Sequence, residues 1–303
     1  MKNFFRRKWI RIISIIVGVF IFLILLWYLF GDNLFLSFLK TNSEQSPCHE
    51  DCMAQRAMIN AGLIYLSENR PWTTNKVKQE ILNQKESGKY RALVLNVYRQ
   101  ILGEGVSFPQ EVLNLLNNSK TPAEVKEAII SLSSDLEPTA DMINQWKTIV
   151  VDENQGVDAR VAAIRKLGNT KNEEFAPFLL DIVKNTKEGR VQFEGIIGVQ
   201  GITKNKELGQ EVINRLEDVF SDKTIHSSIR RFILDVFAHS KSLVLGKVFI
   251  LQAYNNYNND KFIRYRAAEE LNYLATGDIF AKLYLRPEIS DKEWDEYINS
   301  QPY

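Results

Sequence analysis

The sequence has few of the residues that most often build catalytic or metal centres, with two cysteines and three histidines among 303 residues. It contains no G-x-S-x-G, Walker-type phosphate loop, G-x-G-x-x-G or H-E-x-x-H motif, so common signatures of nucleophilic, nucleotide-dependent and zinc-dependent enzymes are absent. A redox C-x-x-C motif is absent as well. We therefore predict a protein that is not an enzyme, with no catalytic residue, cofactor, metal or small-molecule substrate.

The sequence also lacks an excess of charge of either sign, because its formal net charge is +1. Residues 1–40 carry a net charge of +5, which leaves −4 for the remainder. Nucleic-acid binding requires a clustered basic face, and a mildly acidic body does not supply one. We predict no nucleic-acid partner.

Charge is missing altogether from residues 12–30, which read IISIIVGVFIFLILLWYLF. A helix of this length spans roughly the 30 Å hydrocarbon core of a bilayer. Trp9 precedes the run, and Trp27 and Tyr28 end it, where interfacial aromatic residues are typical. A cleaved signal peptide is the alternative, but its apolar core is usually shorter and ends at a small-residue cleavage site. The run favours an uncleaved transmembrane helix in contact with the lipid bilayer.

The flanks of this run predict its orientation. Five basic residues lie in 1–11, and positive flanks stay on the cytoplasmic side, so residues 1–11 are the predicted cytoplasmic flank. Residues 31–47 form a predicted juxtamembrane segment and linker. The remaining chain should then lie extracytoplasmically, on the periplasmic or outer face of a single-pass membrane protein.

A ten-residue pattern with a basic second residue returns seven times along the rest of the chain. Its starts are 35, 35, 34, 30, 40 and 34 residues apart. A period in this range is typical of stacked-repeat proteins. The basic residues that we assign to the pattern are Arg56, Arg91, Lys126, Arg160, Arg190, Arg230 and Arg264.

A second amphipathic segment follows most copies, for example FAPFLLDIVKN at 175–185 and VLGKVFILQAY at 244–254. Both place apolar residues at the spacing of one helix face. Glycine-containing links separate the segments, and no window from 50 to 290 alternates with the period of a strand. These features predict helical hairpins stacked side by side.

The pairing of "x-P-x-L-L" with "V-R-x-A-A-x-x-L-G" resembles HEAT or HEAT-like repeats, including the form seen in phycobilisome-lyase-type proteins. The copy at 159–168 with 175–183 is the most similar, and 263–274 is the next. The resemblance implies an all-α fold, a right-handed α-solenoid of about six to seven hairpins after the single transmembrane helix. It places the repeat domain at 48–285 and a C-terminal cap or tail at 286–303.

The seven basic residues lie near helix N-termini, where the macrodipole disfavours cations. One interpretation is a scaffold role, in which each pairs with a carboxylate or carbonyl of the adjoining repeat. The alternative is a row of cations that binds an acidic partner. The acidic repeat body favours the scaffold role.

The two cysteines form one motif, Cys48-His49-Glu50-Asp51-Cys52. We treat Cys48 and Cys52 as a candidate disulfide, since the expected compartment permits one. A metal site that also uses His49, or a pair of free thiols, remains open. The motif is also the basis of an alternative function, a redox- or metal-dependent enzyme or maturation factor.

Aromatic residues gather near the C-terminus, where tyrosine and tryptophan often mark binding surfaces. The same residues would also serve to cap the last repeat, since terminal repeats need a cap. The candidate partner surface comprises Tyr254, Tyr257, Tyr265, Tyr273, Trp294 and Tyr297.

Together these features predict a membrane-anchored, non-enzymatic scaffold or adaptor that binds protein partners. The anchor and the extended surface of a repeat stack suit a membrane-associated partner, as for an accessory subunit of a membrane complex.

Overall fold

The computed structural model describes residues 31–41, 60–68, 70–103, 106–133, 138–256, 258–277 and 286–300. All regular elements in these ranges are helices packed against one another, which confirms the all-α class. The predicted transmembrane helix at 12–30 and the cysteine motif lie outside the described residues. Among the residues described, no helix is long and apolar enough to cross a bilayer.

The chain divides into two compact units, Met1–Asp135 and Leu136–Tyr303. In unit 1, helices at 31–41 and 60–68 precede the named elements. α1 packs against α2, and α2 packs against α4. The named helices are α1 (Pro71–Leu82), α2 (Gly88–Leu102), α3 (Gln110–Leu113) with a 3₁₀ turn at Asn114–Leu116, and α4 (Ala123–Leu132).

Helix 31–41 is an integral part of unit 1. It buries Leu36 and Leu39, and the ring of Phe35 covers Gly62 so closely that a side chain there would displace the ring. Lys40 forms an ion pair with Glu86 at 2.7 Å. Residues 31–41 therefore belong to folded unit 1.

In the residues described, unit 2 contains four helical hairpins and a further helix. In each hairpin the two helices contact each other, and the second helices also contact one another in sequence. The hairpins are α5 (Ala140–Val151) with α6 (Val157–Asn169), α7 (Phe175–Asn185) with α8 (Gly189–Thr203), α9 (Gln210–Ser221) with α10 (Ser227–His239), and α11 (Leu243–Asn255) with α12 (Lys261–Thr276), followed by α13 (Asp291–Asn299).

The second helices α6 and α8 approach each other closely through glycine. A Cβ atom on Gly168 would lie 2.8 Å from the Cα atom of Gly198, closer than a side chain tolerates. Ile164, Leu167 and Val199 are fully buried around this contact. Small residues here let the layer of second helices pack at short range.

One turn geometry recurs in five hairpins, at the end of the first helix. The residue that follows the helix is Asn, Asp or Thr, and its side-chain oxygen accepts the backbone N–H two residues later. This bond competes with helix continuation and ends the helix. The five donor–acceptor pairs are Lys85 to Asn83 (3.2 Å), Asn154 to Asp152 (3.0 Å), Glu188 to Thr186 (3.3 Å), Thr224 to Asp222 (2.9 Å) and Asn258 to Asn256 (3.1 Å).

Candidate interaction surfaces

Four arginines of the repeat pattern make the same hydrogen bond. Each is the fourth residue of a second helix, and its Nε donates to the carbonyl oxygen of the residue ten positions earlier. That acceptor is the penultimate residue of the first helix in the same hairpin. The bonds run from Arg91 to Ile81 (2.7 Å), Arg160 to Val150 (3.0 Å), Arg230 to Phe220 (2.8 Å) and Arg264 to Tyr254 (3.1 Å).

This geometry explains why a cation is found near a helix N-terminus. The last carbonyls of a helix lack intrahelical partners, and the negative end of the macrodipole lies there. Each arginine starts in an unfavourable first turn but carries its charge across to the favourable end of the neighbouring helix. Arg91, Arg160 and Arg230 are buried, and burial lowers the pKa of Arg91 and of Arg230.

The other three basic residues of the repeat pattern differ from these four arginines. Lys126 holds the equivalent fourth position of α4 and is buried, whereas Arg56 lies outside the described residues. Arg190 is the second residue of α8; its side chain is 46% exposed, and its Nη1 lies 2.9 Å from the Asp158 carboxylate. Gln192 is the fourth residue, and its Nε2 donates to the carbonyl oxygens of Val183 (3.1 Å) and Thr186 (2.8 Å). In the fifth copy of the pattern, the residue that bonds the first-helix carbonyls therefore lies two positions after the basic residue.

Helix α13 covers α12 with aromatic side chains. Tyr297 stacks on Phe262 with ring centroids 4.0 Å apart, and Trp294 meets Phe262 and Tyr265 edge-on at 5.2 and 5.7 Å. Arg231 of α10 donates to the Tyr297 hydroxyl. Tyr297 is buried, so these predicted partner residues serve to pack α13 over the last hairpin.

The other tyrosines of the predicted partner surface are spread over α11 and α12. The carbonyl of Tyr254 accepts the Arg264 bond. Tyr273 is exposed on one side, and its ring lies 5.3 Å from that of His239. Tyr257 lies outside the described residues.

A charged cluster is buried between α10 and α12. Arg266 pairs with Asp235 (2.8 Å), Glu269 (3.0 Å) and Glu270 (2.6 Å). Glu270 is completely buried. Burial raises its pKa to about 7, although Arg266 opposes the shift; the nearby Asp235 and Glu269 carboxylates reinforce it. Because Arg266 pairs with all three carboxylates and joins α10 to α12, we interpret the cluster as structural.

Most of the exposed large apolar side chains in the described part of unit 2 lie on α11, where the sequence interpretation expected an ordinary amphipathic helix. Its inner face buries Gly246, Ile250 and Ala253. Its outer side chains are between 38% and 83% exposed, and they are Leu243, Val244, Leu245, Val248 and Leu251. A helix that is apolar on both faces is usually buried on both, so we define these five residues as the α11 face, a candidate docking surface.

Comparisons with protein-family profiles, with curated proteins and with solved structures give no match for this chain. The α11 face is therefore interpreted from its own geometry and chemistry.

Proposed function

We propose that this protein is a membrane-anchored, non-enzymatic scaffold that binds a membrane-associated protein through its repeat body. In this proposal the hairpins are HEAT-like repeats of a right-handed α-solenoid, residues 12–30 form the transmembrane helix, and the body lies outside the cytoplasm. The recurrent turn and the arginine bond that accompanies it in four hairpins support the repeat interpretation. The uncharged run and its basic flank support the anchor.

The α11 face is the observation that carries the binding proposal. Soluble proteins rarely expose contiguous apolar patches of large size without a binding role. Fully burying one Val, Leu or Ile side chain contributes about 1.5–3 kcal/mol. Five such side chains can contribute substantially to a contact, and Lys247 is the one charged residue of α11, whose apolar stem can lie along a buried surface. The complementary partner would present an apolar helix or groove.

The test places a photo-crosslinking amino acid at Val248 of the full chain in its native membrane. Glu217, an exposed residue of α9, provides the matched control position. We expect one discrete protein adduct at position 248 and none at 217, identified by mass spectrometry.

A second measurement uses the double variant Val244→Lys/Val248→Lys. It should lose the co-purifying partner in detergent while keeping its helical content by circular dichroism. Purification of the unaltered chain with no stable partner, together with no adduct at 248, would contradict the scaffold function.

A further inference from the structure

We propose that one end of unit 1 lies in the headgroup layer of the bilayer, with Leu34, Tyr65 and Trp72 at the lipid–water interface. Phe38 lies at the outer edge of the same surface. We call these four residues the membrane-proximal face. The inference rests on the membrane anchor of the proposed function, and its test separates the two.

Two ion pairs give the direction of helix 31–41. Asp32 lies 3.5 Å from Lys76 near the middle of α1, and Lys40 lies 2.7 Å from Glu86 in the turn after α1. The helix therefore runs in the same direction as α1. The start of α1 therefore lies at the same end of unit 1 as the start of helix 31–41, which directly follows the apolar run in the sequence.

Tyr65 and Trp72 lie at that same end. Trp72 is the second residue of α1, one turn before Lys76. Helix 60–68 ends just before α1 begins, so its last turns, with Tyr65, lie beside the start of α1. The contact of Phe35 with Gly62 agrees with this arrangement, because it places the earlier part of helix 60–68 further along helix 31–41.

The chemistry of this end fits a lipid interface. The four side chains of the membrane-proximal face are between 46% and 59% exposed, although all are large and apolar or aromatic. Trp and Tyr are enriched at the interface because an apolar ring and a polar N–H or O–H suit the headgroup level.

The distances fit the thickness of the layer. Headgroups extend a bilayer from a core of about 30 Å to about 40–45 Å, or roughly 5–8 Å on each side. Leu34 is three residues beyond Gly31, about 4.5 Å along the helix at 1.5 Å per residue. Phe38 is seven residues beyond it, about 10 Å, so Leu34 lies within the headgroup layer and Phe38 just beyond it.

Helix 31–41 also fixes the orientation of unit 1. It is held by the buried Leu36 and Leu39 and by both ion pairs. Residue 31 is itself part of this packed helix, so in our proposal the same end of unit 1 faces the bilayer continuously.

The test reconstitutes the full chain in vesicles of phosphatidylcholine and phosphatidylglycerol. A photoreactive phenylalanine analogue replaces Tyr65 or Trp72, both aromatic-to-aromatic changes, and Gln84 in the turn at the opposite end of α1 is the control. Mass spectrometry then counts lipid adducts at each position. We expect several-fold more lipid adduct at 65 and 72 than at 84.

Alkaline carbonate extraction of the same vesicles reports on the anchor alone. A chain that resists extraction yet yields no lipid adducts at 65 and 72 would overturn this inference and leave the anchor intact. Release by carbonate would overturn the anchor and this inference together. Adducts between two chains at 65 or 72, in place of lipid, would also overturn it and indicate a protein interface.

Discussion

The hairpins α5–α6 and α7–α8 use different side chains to bond the carbonyls at the end of their first helix. In the first, Arg160 donates its Nε to the carbonyl of Val150 near the end of α5. In the second, Gln192 donates its Nε2 to the carbonyl of Val183 near the end of α7. Both are the fourth residue of the second helix. In both hairpins the fourth residue of the second helix is a hydrogen-bond donor to the first helix, and the donor is charged in one hairpin and neutral in the other.

The two side chains are interchangeable here for a chemical reason. In arginine the Nε atom, and in glutamine the Nε2 atom, lies four bonds from Cα. The guanidinium adds a charge that the helix C-terminus favours, and the Nη2 of Arg160 also lies 3.5 Å from the Thr186 hydroxyl. Glutamine supplies a second N–H instead, which bonds the Thr186 carbonyl at 2.8 Å.

The largest effect is expected from Arg160→Met, whose side chain reaches as far as the Nε position but carries no hydrogen-bond donor. The orphaned Val150 carbonyl and the lost cation should reduce the free energy of unfolding by about 3 kcal/mol. The measurement is the urea unfolding curve of the detergent-solubilised chain, followed by circular dichroism. Arg160→Gln is the control and should lose about half as much, because it keeps a donor in place. Equal losses for the two variants would contradict a role for the donor.

The next largest effect is expected at Glu270, between the second helices α10 and α12. This buried acid is neutral below its pKa of about 7. The ordinary value is 4.5, so between these values the folded state binds more protons than the unfolded state. Stability should therefore be greatest at the acidic end of this window and fall as pH rises towards 7. Glu270→Gln should remove this decline and gain about 3 kcal/mol above pH 7, because the folded pKa of about 7 exceeds the ordinary value of 4.5.

Unfolding midpoints measured at several pH values check this expectation. Glu217→Gln, at an exposed position of α9, should leave the decline unchanged. A Glu270→Gln variant that keeps the same decline would show that another group is responsible.

A smaller effect is expected from Gln192→Met in the α7–α8 hairpin. It removes two neutral hydrogen bonds, to the carbonyls of Val183 and Thr186, and should cost about 1 kcal/mol. Gln192→Arg should retain a donor at the same distance from Cα and stay near the unaltered stability. Urea unfolding measures both, and a loss in Gln192→Arg as large as in Gln192→Met would show that the two hairpins are not equivalent.

The smallest effect is expected from Arg190→Met. Arg190 pairs with Asp158 on the surface, and exposed pairs contribute about 0.2–1 kcal/mol, lowered further by salt. We expect less than about 0.5 kcal/mol in the same unfolding measurement at physiological salt. A loss comparable with that of Arg160→Met would show that Arg190 stabilises the fold as much as an arginine that bonds a first-helix carbonyl.

The sequence could predict the helical repeat because apolar periodicity and turn residues recur at a fixed interval. Arg190 pairs with the Asp158 carboxylate of the preceding hairpin, but the pattern did not reveal that Gln192 makes the first-helix carbonyl bond that the four arginines make elsewhere. The signal that finds Gln192 is the turn itself. Thr186 ends α7, and α8 then starts at Gly189, so the fourth helical residue is Gln192.

Other parts of the candidate sites were beyond sequence patterns. On α11 the apolar residues occur all around the helix, so the spacing fits any face and does not show that Val244 and Val248 are the exposed ones. The C-terminal aromatics were ambiguous for a similar reason, because tyrosine and tryptophan suit both caps and binding surfaces. Contact of Trp294 and Tyr297 with Phe262 depends on tertiary packing.

The packing of helix 31–41 determines where this chain can be shortened. A fragment that starts at residue 48, at the boundary of the repeat pattern, would discard Leu36 and Leu39 and uncover the apolar surface that they fill. It would also leave Lys76 and Glu86 without their ion-pair partners. A soluble fragment for crystallisation should begin at Gly31, and one that begins at residue 48 should aggregate.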